Sequence, residues 1–354
     1  MATHFFLGAN SGLGFQNLFT KFCEPEDFRD LLILKGGPGC GKSTMMRKIG
    51  QAMEERGEVV EYLHCSGDPD SLDGVYISRI ATAVVDGTSP HSIEPGYPVA
   101  ADRYVNLGQF YDIEKGKQSR DEIILRTNAY KEAYRDAYHV LRAARELEEQ
   151  RFSLLCQGMD FDRLAQRTEG IISREIRGRG SGGADQYRFL GSMTYKGAVW
   201  RFDSVETLCP RIYHLLDSAG FAAPMLEKIR AAAHAKEYAA IVCPDPEHME
   251  RIQHLLIPEL GLAFVTVREG MECDSEGYRR IHLDAMVEPD HIKRWKGKLK
   301  LMRKMIRTLQ QEGIDLLRTA KEEHDRLESI YHPYVDFEGL DVLTQQEIKR
   351  IMGY

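Results

Sequence analysis

Residues 31–44 read Leu-Leu-Ile-Leu-Lys-Gly-Gly-Pro-Gly-Cys-Gly-Lys-Ser-Thr, an apolar strand running straight into a glycine-rich turn. The spacing from Gly36 through Gly41, Lys42 and Ser43 fits G-x-x-x-x-G-K-[S/T], in which backbone N–H groups curl around phosphate oxygens at a helix N-terminus. A strand before the loop and a helix after it, predicted over Ser43 to about Glu55, supply the required context. Gly36, Gly37, Pro38, Gly39, Cys40, Gly41, Lys42, Ser43 and Thr44 are the expected nucleotide-binding residues. Lys42 is placed to reach the β/γ-phosphates and the Ser43 hydroxyl to ligate Mg²⁺. The motif predicts a nucleoside-triphosphate binder, with ATP the default because no Asn-Lys-x-Asp-like guanine signature occurs.

Composition narrows the setting. A hydrophobic share of 43% beside 29% charged residues supports a packed core rather than disorder, and 354 residues suffice for two domains. The net charge of −7 gives no general attraction to nucleic acid. Seven scattered cysteines without a C-x-x-C pair predict reduced thiols and a cytoplasmic protein. The N-terminus lacks the basic and apolar stretches of a signal peptide, and no apolar run is long enough to span a bilayer.

The second strong signal is internal similarity. Residues 33–49 align without a gap to residues 213–229 at an offset of 180. Phe6-Leu7-Gly8 recurs as Phe189-Leu190-Gly191, Cys65 to Pro69 is echoed by Cys243 to Pro246, and Ile77 to Ile80 by Ile257 to Leu260. Leu141-Arg142 with Leu317-Arg318 and Asp160-Phe161 with Asp336-Phe337 share an offset of 176. Two similar units in tandem are expected. In that alignment Gly36, Gly41, Lys42, Ser43 and Thr44 become Leu216, Phe221, Ala222, Ala223 and Pro224. Residues 81–86 read as a strand ending in Asp86, a candidate Mg²⁺-holding and catalytic carboxylate beside Lys42, and Asp86 becomes Thr266. Lysine, hydroxyl and carboxylate are lost together, as expected if all three serve one Mg–nucleotide.

The expected architecture is α/β: tandem duplicated P-loop NTPase domains, each a parallel sheet with helices on both faces and an appended helical hairpin. The boundaries are a P-loop domain over 1–113, a hairpin over 114–177, a Gly/Arg-rich linker over 178–186, a degenerate P-loop-like domain over 187–288 and a hairpin with the C-terminal tail over 289–354. Short helices are expected near Phe15–Phe22 and Ser71–Arg79, and long ones over 119–157 and 290–330.

The chain resembles a bacterial family of duplicated P-loop ATPases, also described as predicted nucleotide kinases. The resemblance rests on Phe5 to Gly8, Lys35 to Ser43, His64 to Ser66, Asp70 to Gly74, Asp86 to His91 and Asn106 to Gly108, and runs nearly the whole length. It implies ATP binding and hydrolysis by Lys42, Ser43 and their neighbours. In that family the second unit can carry an intact loop, from which Phe221 and Ala222 depart.

Other residues carry open alternatives. Asp68, Asp70 and Asp73 could line an acceptor site, although Asp68-Pro69 has its like in Asp245-Pro246, which favours a turn role. His64 and His91 are candidate proton carriers, and Arg174, Arg177 and Arg179 a candidate lid or a basic linker. Residues 293–307 hold eight basic residues and no acidic one; this amphipathic helix could meet an anionic partner or pack its apolar stripe on a companion helix. Three functions stay open: an Mg-dependent ATPase with a silent second unit, a kinase whose acceptor sits near Asp70, Asp73 and Arg79, and an ATP sensor docking a partner through its helical tails.

Overall fold

The computed structural model describes residues 2–24, 27–268, 271, 273 and 277–354. The first half contributes β1 (Ala2–Phe6), β2 (Gly8–Ser11), β3 (Gly14–Asn17), α1 (Phe19–Phe22), β4 (Asp30–Lys35), α2 (Lys42–Glu55), β5 (Val60–His64), β6 (Leu72–Ile77), β7 (Thr82–Asp86), β8 (Asp102–Asn106), α3 (Ile113–Gly116), α4 (Arg120–Cys156) and α5 (Phe161–Glu175). The second contributes β9 (Gln186–Tyr187), β10 (Gly191–Thr194), β11 (Gly197–Trp200), α6 (Phe202–Leu208), β12 (Arg211–Leu216), α7 (Ala223–His234), β13 (Ile241–Asp245), β14 (His248–Ile257), β15 (Leu262–Val267), β16 (Arg279–His282), α8 (Pro289–Tyr331) and α9 (Phe337–Met352).

The protein is α/β, but its large sheets are mixed rather than parallel. The first runs β1-β5-β6-β7-β4-β8 and the second β9-β13-β14-β15-β12-β16. Each has the same succession of senses: parallel, antiparallel, antiparallel, parallel, parallel. The strand that reverses direction, β6, occupies the stretch expected to be helical, and its Leu72, Val75 and Ile77 are buried in a hairpin with β5. Likewise the first part of the expected helix at Phe15 is strand β3, and only Phe19–Phe22 turns helical. A third, four-stranded sheet, β11-β10-β2-β3, joins the halves. There Phe6 and Phe189 exchange backbone hydrogen bonds of 2.9 and 2.8 Å, so residues that echo each other in sequence face each other, as a two-fold axis requires.

The long helices cover only the outer face of each large sheet; the inner faces share one core, to which the short helices α1 and α6 add Phe19, Phe22, Phe202 and Val205. Along β4, Leu32 and Leu34 point to α2 and α9, whereas Leu31 and Ile33 enter a central core shared with Ile212, Ala263 and Val265 of the second sheet. A strand buried on both faces has the same apolar composition whether its cover is a helix or another sheet, which is why the sequence suggested helices on both sides.

The hairpins are exchanged. Helices α4 and α8, about 55 and 65 Å long at 1.5 Å per residue, run antiparallel against each other. Leu340, Ile348 and Ile351 of α9 pack with Met45, Met46 and Ile49 of α2 in the first half. Leu164 and Ile171 of α5 pack with Leu226 and Ile229 of α7 in the second. Each half's tail therefore covers the other half. Leu299, Met302 and Ile306 of the basic segment are buried, while Leu301 and Met305 join its eight basic residues on the exposed side. Among the described residues no helix is long and apolar enough to cross a membrane.

Candidate functional site

The glycine-rich loop leaves β4 at Lys35 and feeds α2 at Lys42. Gly39 and Gly41 have φ of 68° and 80°, the left-handed region in which a side chain is strained. A Cβ on Gly36 would stand 2.5 Å from the Cys40 sulfur, so the turn admits no larger residue there without a shift. Cys40 faces inward; burial pushes its thiol pKa up and keeps it protonated. Ser43 Oγ accepts the Leu72 N–H at 2.9 Å, and Thr44 is exposed.

Strand register brings the expected catalytic pair together. β4 and β7 are parallel neighbours with Leu34 opposite Asp86, so the loop and the carboxylate emerge at the same sheet edge. Lys42 Nζ lies 3.7 Å from Asp86 Oδ2 and donates to the carbonyls of Gly36 and Gly37 at 2.8 and 2.9 Å. Asp86 Oδ1 accepts from Thr88 N at 2.8 Å and Thr88 Oγ1 at 2.6 Å, which leaves Oδ2 turned to the lysine. Pro38 O accepts from the Tyr111 hydroxyl at 2.8 Å.

Behind Asp86 stands a buried pair. His91 Nε2 lies 3.3 Å from Asp73 Oδ2. Burial pushes the His91 pKa down, but the carboxylates of Asp73 and Asp86 outweigh it and the net shift is upward. His64, by contrast, is held near 3, first by burial and then by the Arg201 guanidinium, and is neutral at physiological pH. Its ring nitrogens meet Pro69 O at 2.8 Å and His4 Nδ1 at 3.0 Å, a structural setting.

Several other sequence candidates are placed elsewhere. Asp68 Oδ1 accepts the Asp70 N–H at 3.2 Å, and Asp245 Oδ1 accepts the Glu247 N–H at 3.0 Å, the same local turn in both halves. Asp70 pairs with Lys196. Arg79 pairs with Glu58 beyond the end of β6, at the edge of the sheet opposite Asp86, so no acceptor can sit near Asp70, Asp73 and Arg79 together. Arg174 bonds Glu175 and Tyr213, and Arg179 pairs with Glu237, all on the second half and not over the loop at 36–44.

Sequence reasoning missed what covers the loop. Glu328, on α8 from the other half, accepts the Gly39 N–H at 3.2 Å through Oε1. His324, one turn earlier, lies 3.9 Å from the same carboxylate and is held low in pKa by burial. His332 would meet a Cβ on Gly39 at 3.0 Å, and Leu340 one on Gly41 at 2.5 Å. These residues lie some 290 positions from the loop, and nothing in local spacing announces such a contact.

The second half shows the counterpart. Register sets Leu215 opposite Thr266 as Leu34 faces Asp86, which shifts the strand one residue from the gapless sequence alignment. Between strand end and helix start the second loop, 217–222, is as long as the first, 36–41, six residues in each. The strand match places Asp217, rather than Leu216, at the Gly36 position, and the helix starts at Ala223 where the first half has Lys42. Buried Asp217 accepts the N–H groups of Ala219 (3.2 Å), Gly220 (2.8 Å) and Ala222 (2.7 Å), and Asp284 takes that of Ser218 at 2.9 Å. Phe152 of α4 packs on Phe221, ring centroids 5.7 Å apart. The loop's donors are already spent on the protein's own carboxylates.

Compared with known proteins, the chain matches no family model, no curated protein and no solved structure.

Proposed function

We propose that the chain is an Mg²⁺-dependent ATPase that binds nucleotide at the loop 36–44 and carries a catalytically silent second half, the two halves being copies of one ancestral unit. The observation that carries this reading is the convergence of Lys42 Nζ and Asp86 Oδ2 at the shared edge of β4 and β7, at the first turn of α2. Amide donors, a helix N-terminus and a lysine at one point favour a polyphosphate. The duplication is supported by the identical strand order and senses of the two sheets and by the pairing of Phe6 with Phe189.

The oxygen donors suit Mg²⁺: Asp86 Oδ2 retains accepting capacity, and Ser43 Oγ spends one lone pair on Leu72. Ser43 and Asp86 would hold the ion, which neutralises charge on the β- and γ-phosphate oxygens. Lys42 leaves the carbonyls of Gly36 and Gly37 for the phosphates. The Gly39 amide exchanges the Glu328 carboxylate for a phosphate oxygen, and α8 and α9 must yield to admit the ligand. Transition-state charge is then met by loop amides and Lys42. Glu328 and His324, displaced but close, are groups available to orient water.

The test is Lys42→Ala. Turnover of Mg-ATP should fall roughly 10²–10³-fold, the usual cost of losing one charge-stabilising donor; undiminished turnover would overturn the assignment. The cover over the loop also favours a second reading, a sensor whose tail lifts when ATP binds. Tight binding with no release of phosphate by the unmodified protein would select it.

A further inference from the structure

The two ends of α8 carry their charges differently. Beyond Arg307 every lysine and arginine of the helix has a carboxylate partner: Arg318 pairs with Asp315, Lys321 with Asp325 and Arg326 with Glu323. Nearer its start, Lys293, Arg294, Lys296, Lys298, Lys300 and Lys304 are exposed and form no ion pair among the described residues. Arg303 and Arg307 make interactions of their own and do not belong to this set. Like charges three and four residues apart on a helix repel, so the run costs stability.

Helical periodicity sorts these residues into flanks. Arg303, Ile306, Arg307 and Gln310 turn toward the cavity beside Arg268. Arg294, Lys298, Leu301 and Met305 fall on the opposite flank, with Lys304 adjoining them. Leu301 and Met305 are 58% and 44% exposed and stand one turn apart, with Lys298 and Lys304 on either side of Leu301. A Cβ on Gly297, the residue before Lys298, would meet nothing within 4 Å, so the surface is open there.

The fold does not demand this surface. At the offset of 176 that relates the two tails, Arg294, Lys298 and Lys304 fall on Gln118, Glu122 and Asn128. Leu301 falls on Leu125, which is 61% exposed. The basic residues around Leu125 are paired: Lys117 with Glu114, Arg120 with Asp121 and Arg126 with Glu323. Both hairpins thus expose a leucine at the same place, and only the second surrounds it with unpaired cations.

We propose that this flank of α8 is a peripheral docking surface for an anionic lipid bilayer. Leu301 and Met305 enter the headgroup boundary, while Arg294, Lys298 and Lys304 meet the lipid phosphates and carboxylates. Lysine suits the role because its stem lies along apolar surface and carries the ammonium to the headgroups. A nucleic acid would leave the apolar pair without a partner, and these five residues include no aromatic ring on which a base could stack. The surface is independent of nucleotide binding at Lys42.

The experiment is co-sedimentation of the full chain with vesicles of phosphatidylserine and phosphatidylcholine in equal parts, and with vesicles of phosphatidylcholine alone. Binding to the first kind only, falling steeply as salt rises from about 0.1 to about 1 M, is expected. An Arg294→Gln, Lys298→Gln, Lys304→Gln triple variant should bind roughly a hundredfold more weakly. Leu301→Gln, which leaves the charge unchanged, should bind roughly fivefold more weakly. All four side chains are exposed, and circular dichroism spectra matching the unmodified protein verify that the variants fold. Removing as many charges from the other half, by Lys115→Gln, Lys117→Gln and Arg120→Gln, should leave binding intact. Absence of binding to the anionic vesicles overturns the proposal, as do equal binding to both kinds and undiminished binding by the triple variant. A loss in the other-half control as large as in the triple variant overturns it too, because net charge would then explain the binding. Undiminished binding by Leu301→Gln overturns the entry of the apolar pair. Capture of a duplex oligonucleotide with no binding to vesicles assigns the face to nucleic acid and overturns the lipid partner.

Discussion

The two loops at 36–44 and 217–224 leave equivalent strands, begin equivalent helices and lie under equivalent ends of the two long helices, yet they treat negative charge in opposite ways. In the first, the one carboxylate bonded to a loop amide among the described residues is Glu328, which arrives from the far end of the chain on a half-exposed side chain. In the second, Asp217 lies within the loop and holds three amides at once in full burial. One carboxylate reaches the loop from a separate element, whereas the other is built into the turn itself. An aspartate at the strand end, where the first half has Gly36, thus ties the second loop's amides to the chain itself.

The largest expected effect concerns the exchanged cover. Leu340→Ala removes the side chain over Gly41 from a core shared with α2, and should lower unfolding free energy by about 2–5 kcal/mol, read by urea denaturation. A loss under 1 kcal/mol would mean that α9 does not close on the first half in solution. Next comes the internal plug. Asp217→Asn leaves none of the three loop amides, of which that of Ala222 is buried, with a charged acceptor and should cost about 2–3 kcal/mol, seen as a lower melting temperature. No change in melting would break the contrast between the two loops.

Glu328→Gln weakens the competing contact in the first loop by about 1 kcal/mol, so Mg-ATP should bind roughly fivefold tighter in an equilibrium assay. Weaker binding would instead make Glu328 a partner of the nucleotide. The last comparison is a pH trend. Glu247 has a folded pKa of about 8, raised from 4.5 chiefly by burial. A folded pKa above the unfolded one means more protons bound when folded, so its contribution to stability is whole below pH 4.5 and is lost as pH rises toward 8. Glu247→Gln should flatten that decline in melting temperature, whereas Asp70→Asn, altering the exposed partner of Lys196 in the other half, should not.

The sequence carried the ingredients of the first site with little ambiguity. Loop residues act through backbone angles and spacing that are fixed over nine positions, so Gly36 to Thr44 and the strand before them were readable directly, as was Asp86 at the end of an apolar run. The long helices were readable too, because their periodicity extends over many turns. Strand direction was not: β6 alternates no differently from a parallel strand, and only its hairpin with β5 reverses it. The helical segment at Ser71–Arg79 failed for that reason, since a short apolar run takes the conformation its neighbours offer.

What the amino-acid order determined by itself is local: a glycine-rich turn between strand and helix in one half, other residues at that turn in the second, and the echo between them. What tertiary structure alone decided is who covers whom. Glu328 meets Gly39, Leu340 meets Gly41 and Phe152 meets Phe221 across the join between halves, because two antiparallel helices of similar length carry each tail to the opposite loop. Such contacts arise from the packing of whole elements and not from spacing along the chain.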